Sequence, residues 1–235
     1  MSFITRRPIA HRGLHDGNQK TFENSMAAMR AAVEYGYAIE LDVQLSGDGV
    51  AMVFHDATLD RLTNQTGLVK DLDAEELQVI KLGKTNDTID TLEDILLEIG
   101  GDVPVIIEMK GDGNAMDARA LAKSVASDLA NYHGEAAVMS FEHDLLEAFS
   151  KTGSRRPLGL TAEGVGEKSF ERHRAALPLG IQFVSYAVKA LPNAFVEEAR
   201  TVHEMPVITW TVRTPEDVEL SNAHADQMTF EGFLA

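Results

Sequence analysis

Glu40 and Asp42 stand two residues apart in the run Tyr37–Leu45, with Ile39, Leu41 and Val43 alternating against them. In an extended segment that spacing puts both carboxylates on one face and the three aliphatic side chains on the other. Two adjacent carboxylates taken out of water repel each other, so they require a cation or a shared proton. Glu108 and Lys110 repeat the spacing at the end of Val103–Met109. His11, Arg12 and Gly13 end the first strand-like run, and His55 ends Val50–Phe54. Glu40, Asp42 and Glu108 offer an all-oxygen site for a hard divalent cation, Mg2+ or Ca2+. Two imidazoles can serve as general acid and base near neutral pH, and Arg12 and Lys110 can hold phosphate oxygens. Together these types suit cleavage of a phosphodiester.

Strand-like and helix-like runs alternate along the chain and must position those residues. The predicted strands are Pro8–Ala10, Tyr37–Leu45, Val50–Phe54, Val103–Met109, Ala136–Ser140, Pro157–Leu160, Ile181–Ser185, Pro206–Val212 and Gln227–Phe230. They are short and mostly lack polar alternation, as strands covered on both faces do. Between them run apolar helical stripes: Met26, Met29, Val33; Leu92, Ile95, Leu96, Ile99; and Leu121, Val125, Leu129. Thr91 and Thr214–Pro215 carry helix-start signals, and Pro192 is expected to open the helix that contains Phe195 and Ala199.

Only Ser46–Gly47–Asp48–Gly49 separates Leu45 from Val50, too little for a parallel crossover, so that pair is predicted as an antiparallel hairpin. Eight parallel strands remain. The expected fold is an α/β (β/α)8 TIM barrel spanning residues 1–235 as one domain, with an open doubly wound sheet as the alternative. Residues 56–90 are polar and turn-rich, with one short helix expected near Asp73–Lys81. They are read as an insertion at the barrel mouth, after the second barrel strand. With a two-residue turn at Gly47–Asp48, residue 40 would face residue 55, bringing His55 beside the carboxylate pair. Trp210, the single tryptophan, lies in a strand-like run and suits either core packing or a platform under a substrate. Ser140 and Phe141 end another strand and are open to the same two readings; the other six histidines are expected in packing or surface roles.

The chain has 235 residues and a net charge of −16 from 21 basic and 37 acidic residues. Such a field opposes nucleic acid and anionic membrane surfaces as partners. The absence of cysteine excludes disulfides, thiolate metal sites and cysteine nucleophiles. No apolar run reaches membrane-spanning length, and Met1–Arg7 lacks the apolar core of a secretory signal, so a cytoplasmic location without stable membrane anchoring is expected. A homo-oligomer is compatible with this composition. Gly83–Lys84–Thr85 resembles the tail of a P-loop, but Gln78 stands where its first glycine belongs.

The segments Ile9–Gly13, Glu23–Ser25, Glu40–Val43, Phe54–Asp56, Leu59–Thr63, Ile107–Lys110 and Trp210–Val212 occur in the order seen in the glycerophosphodiester phosphodiesterase family, which the chain resembles over nearly its whole length. The resemblance implies hydrolysis of small glycerophosphodiesters to glycerol 3-phosphate and an alcohol. It implies a divalent metal on Glu40, Asp42 and Glu108, acid–base catalysis by His11 and His55, and a substrate phosphate on Arg12 and Lys110. Phe22 departs from the proline common before the glutamate–asparagine step, and Met228–Gly232 departs from the usual aspartate-containing turn. Rival readings are a lysophospholipase D-like enzyme on the same barrel and a non-catalytic binder of phosphorylated ligands.

Overall fold

A computed structural model of the chain describes residues 3–235. Its elements, in order, are α1 (Phe3–Arg6), β1 (Ile9–Ala10), α2 (Met26–Tyr35), β2 (Ala38–Leu45), β3 (Ala51–Val53), α3 (Ala74–Leu77), α4 (Leu92–Ile99), β4 (Val105–Met109), α5 (Ala115–Asn131), β5 (Ala136–Ser140), α6 (His143–Ser150), β6 (Leu158–Ala162), α7 (Glu167–Ala176), β7 (Phe183–Ala187), α8 (Ala194–Thr201), β8 (Val207–Val212), α9 (Pro215–His224) and β9 (Gln227–Phe230). The sheet runs β1-β9-β8-β7-β6-β5-β4-β2, and β1 pairs with β2 to close it, giving eight parallel strands in a barrel. β3 lies outside this ring, antiparallel to β2.

Alternation along each strand divides the core in two. Ile39, Leu41, Val43, Val105 and Ile107 join the large cluster beneath the helices. Ile9, Ala38, Ile106, Ala137, Met139, Phe183 and Ile208 fill the barrel interior, with Ile4 of α1 added to them. A Cβ on Gly159 would sit 2.2 Å from the Phe183 ring, so only glycine lets that ring cross the interior. Among the described residues, no helix is long and apolar enough to cross a membrane.

Helix starts follow the local chemistry. Thr91 Oγ1 accepts from the Asp94 N–H, and Thr214 forms a capping box with Asp217 while Pro215 takes the first turn. Pro192 is not such a start: the cap of α8 is Asn193, whose side chain accepts from the Val196 N–H. Asparagine supplies the acceptor that an orphan amide needs, which proline cannot.

The hairpin register also differs from expectation by one residue. Val43 faces Val53 and Leu45 faces Ala51, because the turn holds three residues, Gly47, Asp48 and Gly49, with Gly49 at φ 90°. Ser46 Oγ accepts from the Val50 N–H and closes this wider turn. His55 therefore does not oppose Glu40 in a ladder. The strand ends at Val53 and His55 lies in the bend beyond it, where its carbonyl accepts from Gln44 Nε2.

Residues 56–90 build a small apolar cluster of Leu59, Leu62, Val69, Ala74, Leu77, Leu82 and Ile89, joined by Met52, Phe54 and Phe22. Its helix is shorter than expected, spanning Ala74–Leu77 and opened by the capping box between Asp73 and Glu76. Val69 and Leu77 are buried within this cluster, and Leu72 is partly buried against it. The Phe22 ring packs on Gly83, where a Cβ would come within 2.3 Å, so this glycine serves packing rather than phosphate binding.

Candidate active site

β2 and β4 run side by side with Asp42 opposite Glu108, and Glu40 lies two residues earlier on the same face of β2. The parallel register thus brings the three carboxylates together inside the barrel. One oxygen of each lies within 4.8 Å of the others, and all three residues are buried, at 2%, 1% and 6% exposure for Glu40, Asp42 and Glu108. Two cations offset them. Lys110 Nζ lies 3.0 Å from Asp42 Oδ1 and 2.5 Å from Glu108 Oε1, and Arg12 Nε lies 3.1 Å from Asp42 Oδ2. Three carboxylates against two fixed cations leave one excess negative charge in a buried cluster.

The protonation equilibria record that imbalance. Burial, followed by the charges of Asp42 and Glu108, pushes the Glu40 carboxyl well up. Burial pushes Glu108 up to about 7 against the pull of Lys110. At Asp42 burial is outweighed by Lys110 and Arg12, which hold its carboxyl well below the usual range. The set is oxygen-only, buried and one charge short of neutrality, which fits a hard divalent cation.

The loop after β1 is shaped to reach this cluster. Arg12 adopts φ 55° and Gly13 φ 77°, and a Cβ on Gly13 would lie 2.8 Å from that of Ala28. This turn aims the Arg12 backbone N–H at Glu40 Oε2, 3.0 Å away. Glu23 accepts from Arg12 Nη1 at 2.6 Å and from both terminal nitrogens of Arg61. Burial of Glu23 is outweighed by these guanidinium groups, so its carboxyl stays ionised far below the usual range. Asn24, at φ 58°, donates from Nδ2 to Asp42 Oδ2 and accepts the Asp42 N–H on Oδ1. Asparagine tolerates that backbone region better than most residues.

Both imidazoles are oriented in the same way. His11 Nδ1 lies 2.7 Å from Glu231 Oε2, and His55 Nδ1 lies 2.7 Å from Asp56 Oδ1. Each Nε2 is left free of these bonds; that of His11 lies 3.9 Å from Glu40 Oε2. Burial lowers both imidazoles' proton affinity, with Glu231 opposing it at His11 and Asp42 opposing it at His55. At Glu231, burial is outweighed by His11 and Arg213, and the carboxyl falls to about 2.

These groups surround one pocket of about 230 Å3 at the mouth, bordered by His11, Arg12, Glu40, His55, Glu108, Lys110 and Trp210. Asp42 sits behind Lys110. All eight residues picked out from the sequence are thus brought together. Trp210 is half-buried at the pocket wall, with Nε1 donating to Ser185 O and its ring edge-on to Phe141 at 5.3 Å. Ser140 is structural: its Oγ donates to Met109 O and accepts from Glu142 N–H. His173 packs among Tyr186 and Phe195 as expected of a core histidine. His15 accepts the Gly17 N–H on Nδ1, and a ring nitrogen lies near those of His11 and the Glu231 carboxylate.

Sequence reasoning gave no role to the orienting groups Glu231, Asp56, Asn24, Glu23 and Arg61, although the last four lie in segments that carry the family resemblance. Asp56 adjoins His55 and could have been found by proximity. Glu231 is 220 residues from His11, and its only signal was its place just past the last strand.

The model of the glycerophosphoryl diester phosphodiesterase family matches residues 11–230. A glycerophosphodiester phosphodiesterase of Caldanaerobacter subterraneus is 30% identical over 221 residues, covering 90% of this chain and 87% of that protein. Glycerophosphodiester phosphodiesterase 1 of Bos taurus is 29% identical over 180 residues, covering 69% of this chain and 53% of that protein. Among solved structures, a phosphodiesterase of Oleispira antarctica superposes with a TM-score of 0.81 at 22% identity, covering 97% of this chain and 94% of that one, which supports the barrel fold. The match of a family model to nearly the whole barrel, together with a relative aligned over nine-tenths of the sequence, shows that this chain is an enzyme of the glycerophosphoryl diester phosphodiesterase family.

Proposed function

We propose that the chain hydrolyses glycerophosphodiesters to glycerol 3-phosphate and an alcohol in a metal-dependent reaction with two histidines as acid and base, residues 1–235 acting as one domain with 56–90 as a mouth insertion. The observation that carries this reading is the carboxylate trio flanked by two imidazoles, each with its Nδ1 tethered to an acid. The Oleispira antarctica neighbour was solved with the product sn-glycerol-3-phosphate. Glu40, Asp42 and Glu108 would hold the cation, Mg2+ or Ca2+. When bound, the cation supplies Lewis-acid stabilisation of negative charge on the phosphoryl oxygens.

The chain's own groups do the rest. Arg12 and Lys110 draw the phosphate into the mouth and stabilise its oxygens as charge builds in the transition state. One histidine takes a proton at Nε2 from the attacking hydroxyl, whether water or a neighbouring glycerol hydroxyl. The other delivers a proton to the leaving alkoxide. Asp56 and Glu231 fix the rings and stabilise their protonated forms. Trp210 gives the substrate's carbon skeleton a flat wall.

Product analysis on a panel of glycerophosphodiesters, with and without chelator, tests the reading. Glycerol 3-phosphate should appear, vanish with EDTA and return with Mg2+ or Ca2+. His11→Ala and His55→Ala should each lower kcat by roughly 100- to 10,000-fold with the circular dichroism unchanged. Activity indifferent to EDTA, or near-normal turnover in both variants, would refute it.

A further inference from the structure

His15 takes no part in the reaction proposed above. It stands four residues after His11 in the loop that leaves β1. The loop's own backbone fixes it in place. Gly13 N–H donates to Glu40 O, Leu14 N–H to Ala28 O and His15 N–H to Gly13 O, with Gly13 at φ 77° turning the chain back. His15 Nδ1 accepts from Gly17 N–H at 3.2 Å, while its Nε2 is buried without a hydrogen-bond partner. Buried polar atoms are as a rule partnered, so a held ring with a lone buried nitrogen calls for an explanation.

Its neighbours are metal-ligating groups. One ring nitrogen each of His11 and His15 and one oxygen of Glu231 lie within 4.8 Å of one another. Burial lowers the proton affinity of both rings, so both are neutral at pH 7, whereas Glu231 is ionised. Two neutral imidazoles and a carboxylate form a mixed nitrogen and oxygen set, the kind that takes zinc. Glu40, Asp42 and Glu108 form an oxygen-only set suited to harder ions, so the two sets differ in kind although both border His11. The charges that oppose a cation here are Arg12 and Arg213; Glu23 and Asp16 favour it from the side of His15. Arg213 Nη2 shares Glu231 Oε2 at 2.8 Å, but its side chain is 55% exposed and can turn out into water.

We propose that His11, His15 and Glu231 form a second metal site, separate from the carboxylate trio, which takes Zn2+ and holds the enzyme inactive by capturing His11. The ion replaces the proton held between His11 Nδ1 and Glu231 Oε2, which are 2.7 Å apart. That proton passes to His11 Nε2, so the ring has no lone pair there to act as base and cannot become the imidazolium acid. His15 binds through Nε2 and its proton passes to Nδ1, at the cost of the bond from Gly17. Neither ring loses a proton to solvent. The inhibition rests on the function proposed above; the binding does not.

The test titrates Zn2+ into the full chain kept saturated with Ca2+, following binding by calorimetry and hydrolysis of glycerophosphoglycerol. Zinc should bind and inhibit, and raising Ca2+ further should not relieve it. Co2+ in place of Zn2+ should gain the strong visible absorption of four-coordinate cobalt. His15→Gln should keep its activity in the absence of zinc, lose the cobalt absorption, and weaken zinc binding and inhibition together by roughly 10- to 100-fold. No zinc binding to the wild type, relief in proportion to added Ca2+, or equal binding and inhibition in the wild type and His15→Gln would overturn the site; the last two would put zinc on the carboxylate trio. Zinc binding that depends on His15, in a chain that releases no glycerol 3-phosphate under any condition, would defeat the proposed function and leave the metal site standing.

Discussion

Glu231→Gln isolates the orienting role of a residue that touches the pocket only through His11. The carboxylate lies 2.7 Å from Nδ1 and is itself held by Arg213 Nη2 at 2.8 Å, so it is ionised and fixed in place. A hydrogen bond to a charged partner contributes about 1.5–3 kcal/mol, and the imidazolium of His11 loses that support when the carboxylate becomes an amide. If protonated His11 forms during turnover, kcat should fall by about 10- to 100-fold. The pH profile should move as well. Burial and Arg12 lower the proton affinity of His11, while Glu231 raises it. Without Glu231, burial and Arg12 are less opposed, so the kinetic limb governed by His11 shifts to lower pH, whether His11 serves as acid or as base. The assay is kcat on glycerophosphocholine across pH 4.5–9 at saturating divalent cation, with circular dichroism and Tm as controls. A kcat within twofold of wild type on a superimposable pH profile would show that Glu231 does not govern His11.

Asn24→Ala removes both bonds to Asp42 and places alanine at φ 58°, so unfolding in urea should show a loss of about 2–4 kcal/mol; a loss under 0.5 kcal/mol would mean that the Asp42 cluster is held without it. His173 is buried with its Nδ1 unpartnered, and burial lowers its proton affinity to about 4 from an ordinary 6.5. The unfolded chain binds this proton first. Stability from this residue is therefore complete above pH 6.5, declines by at most about 3 kcal/mol as pH falls to 4, and levels off below. His173→Phe should flatten that part of the Tm–pH curve, and an unchanged slope would place the acid sensitivity elsewhere.

The carboxylate pair was legible in the sequence because strand alternation is a local rule. Once Ile39, Leu41 and Val43 are assigned to the helices, Glu40 and Asp42 have only the barrel interior to face. The eight-strand count was legible from chain length too, since the four residues between Leu45 and Val50 cannot span a crossover. The hairpin register was harder, because Ser46–Gly49 suits a two-residue turn as well as the three-residue turn set by Gly49 at φ 90°. That one residue alters which side chain faces which, and His55 reaches the mouth through the bend after Val53.

What the residues alone supplied was a set of chemical types: carboxylates suited to a hard ion, imidazoles suited to proton transfer, cations suited to a phosphate, and strands that end close to them. What only the tertiary structure decided was which distant groups hold these in place. Closure of β9 against β1 brings Glu231 to His11, and the β2–β4 register sets Glu108 beside Asp42. Local periodicity dictates the face a side chain occupies, but its partner across the barrel depends on which strands become neighbours and at what offset. That offset is fixed by the packing of the whole ring.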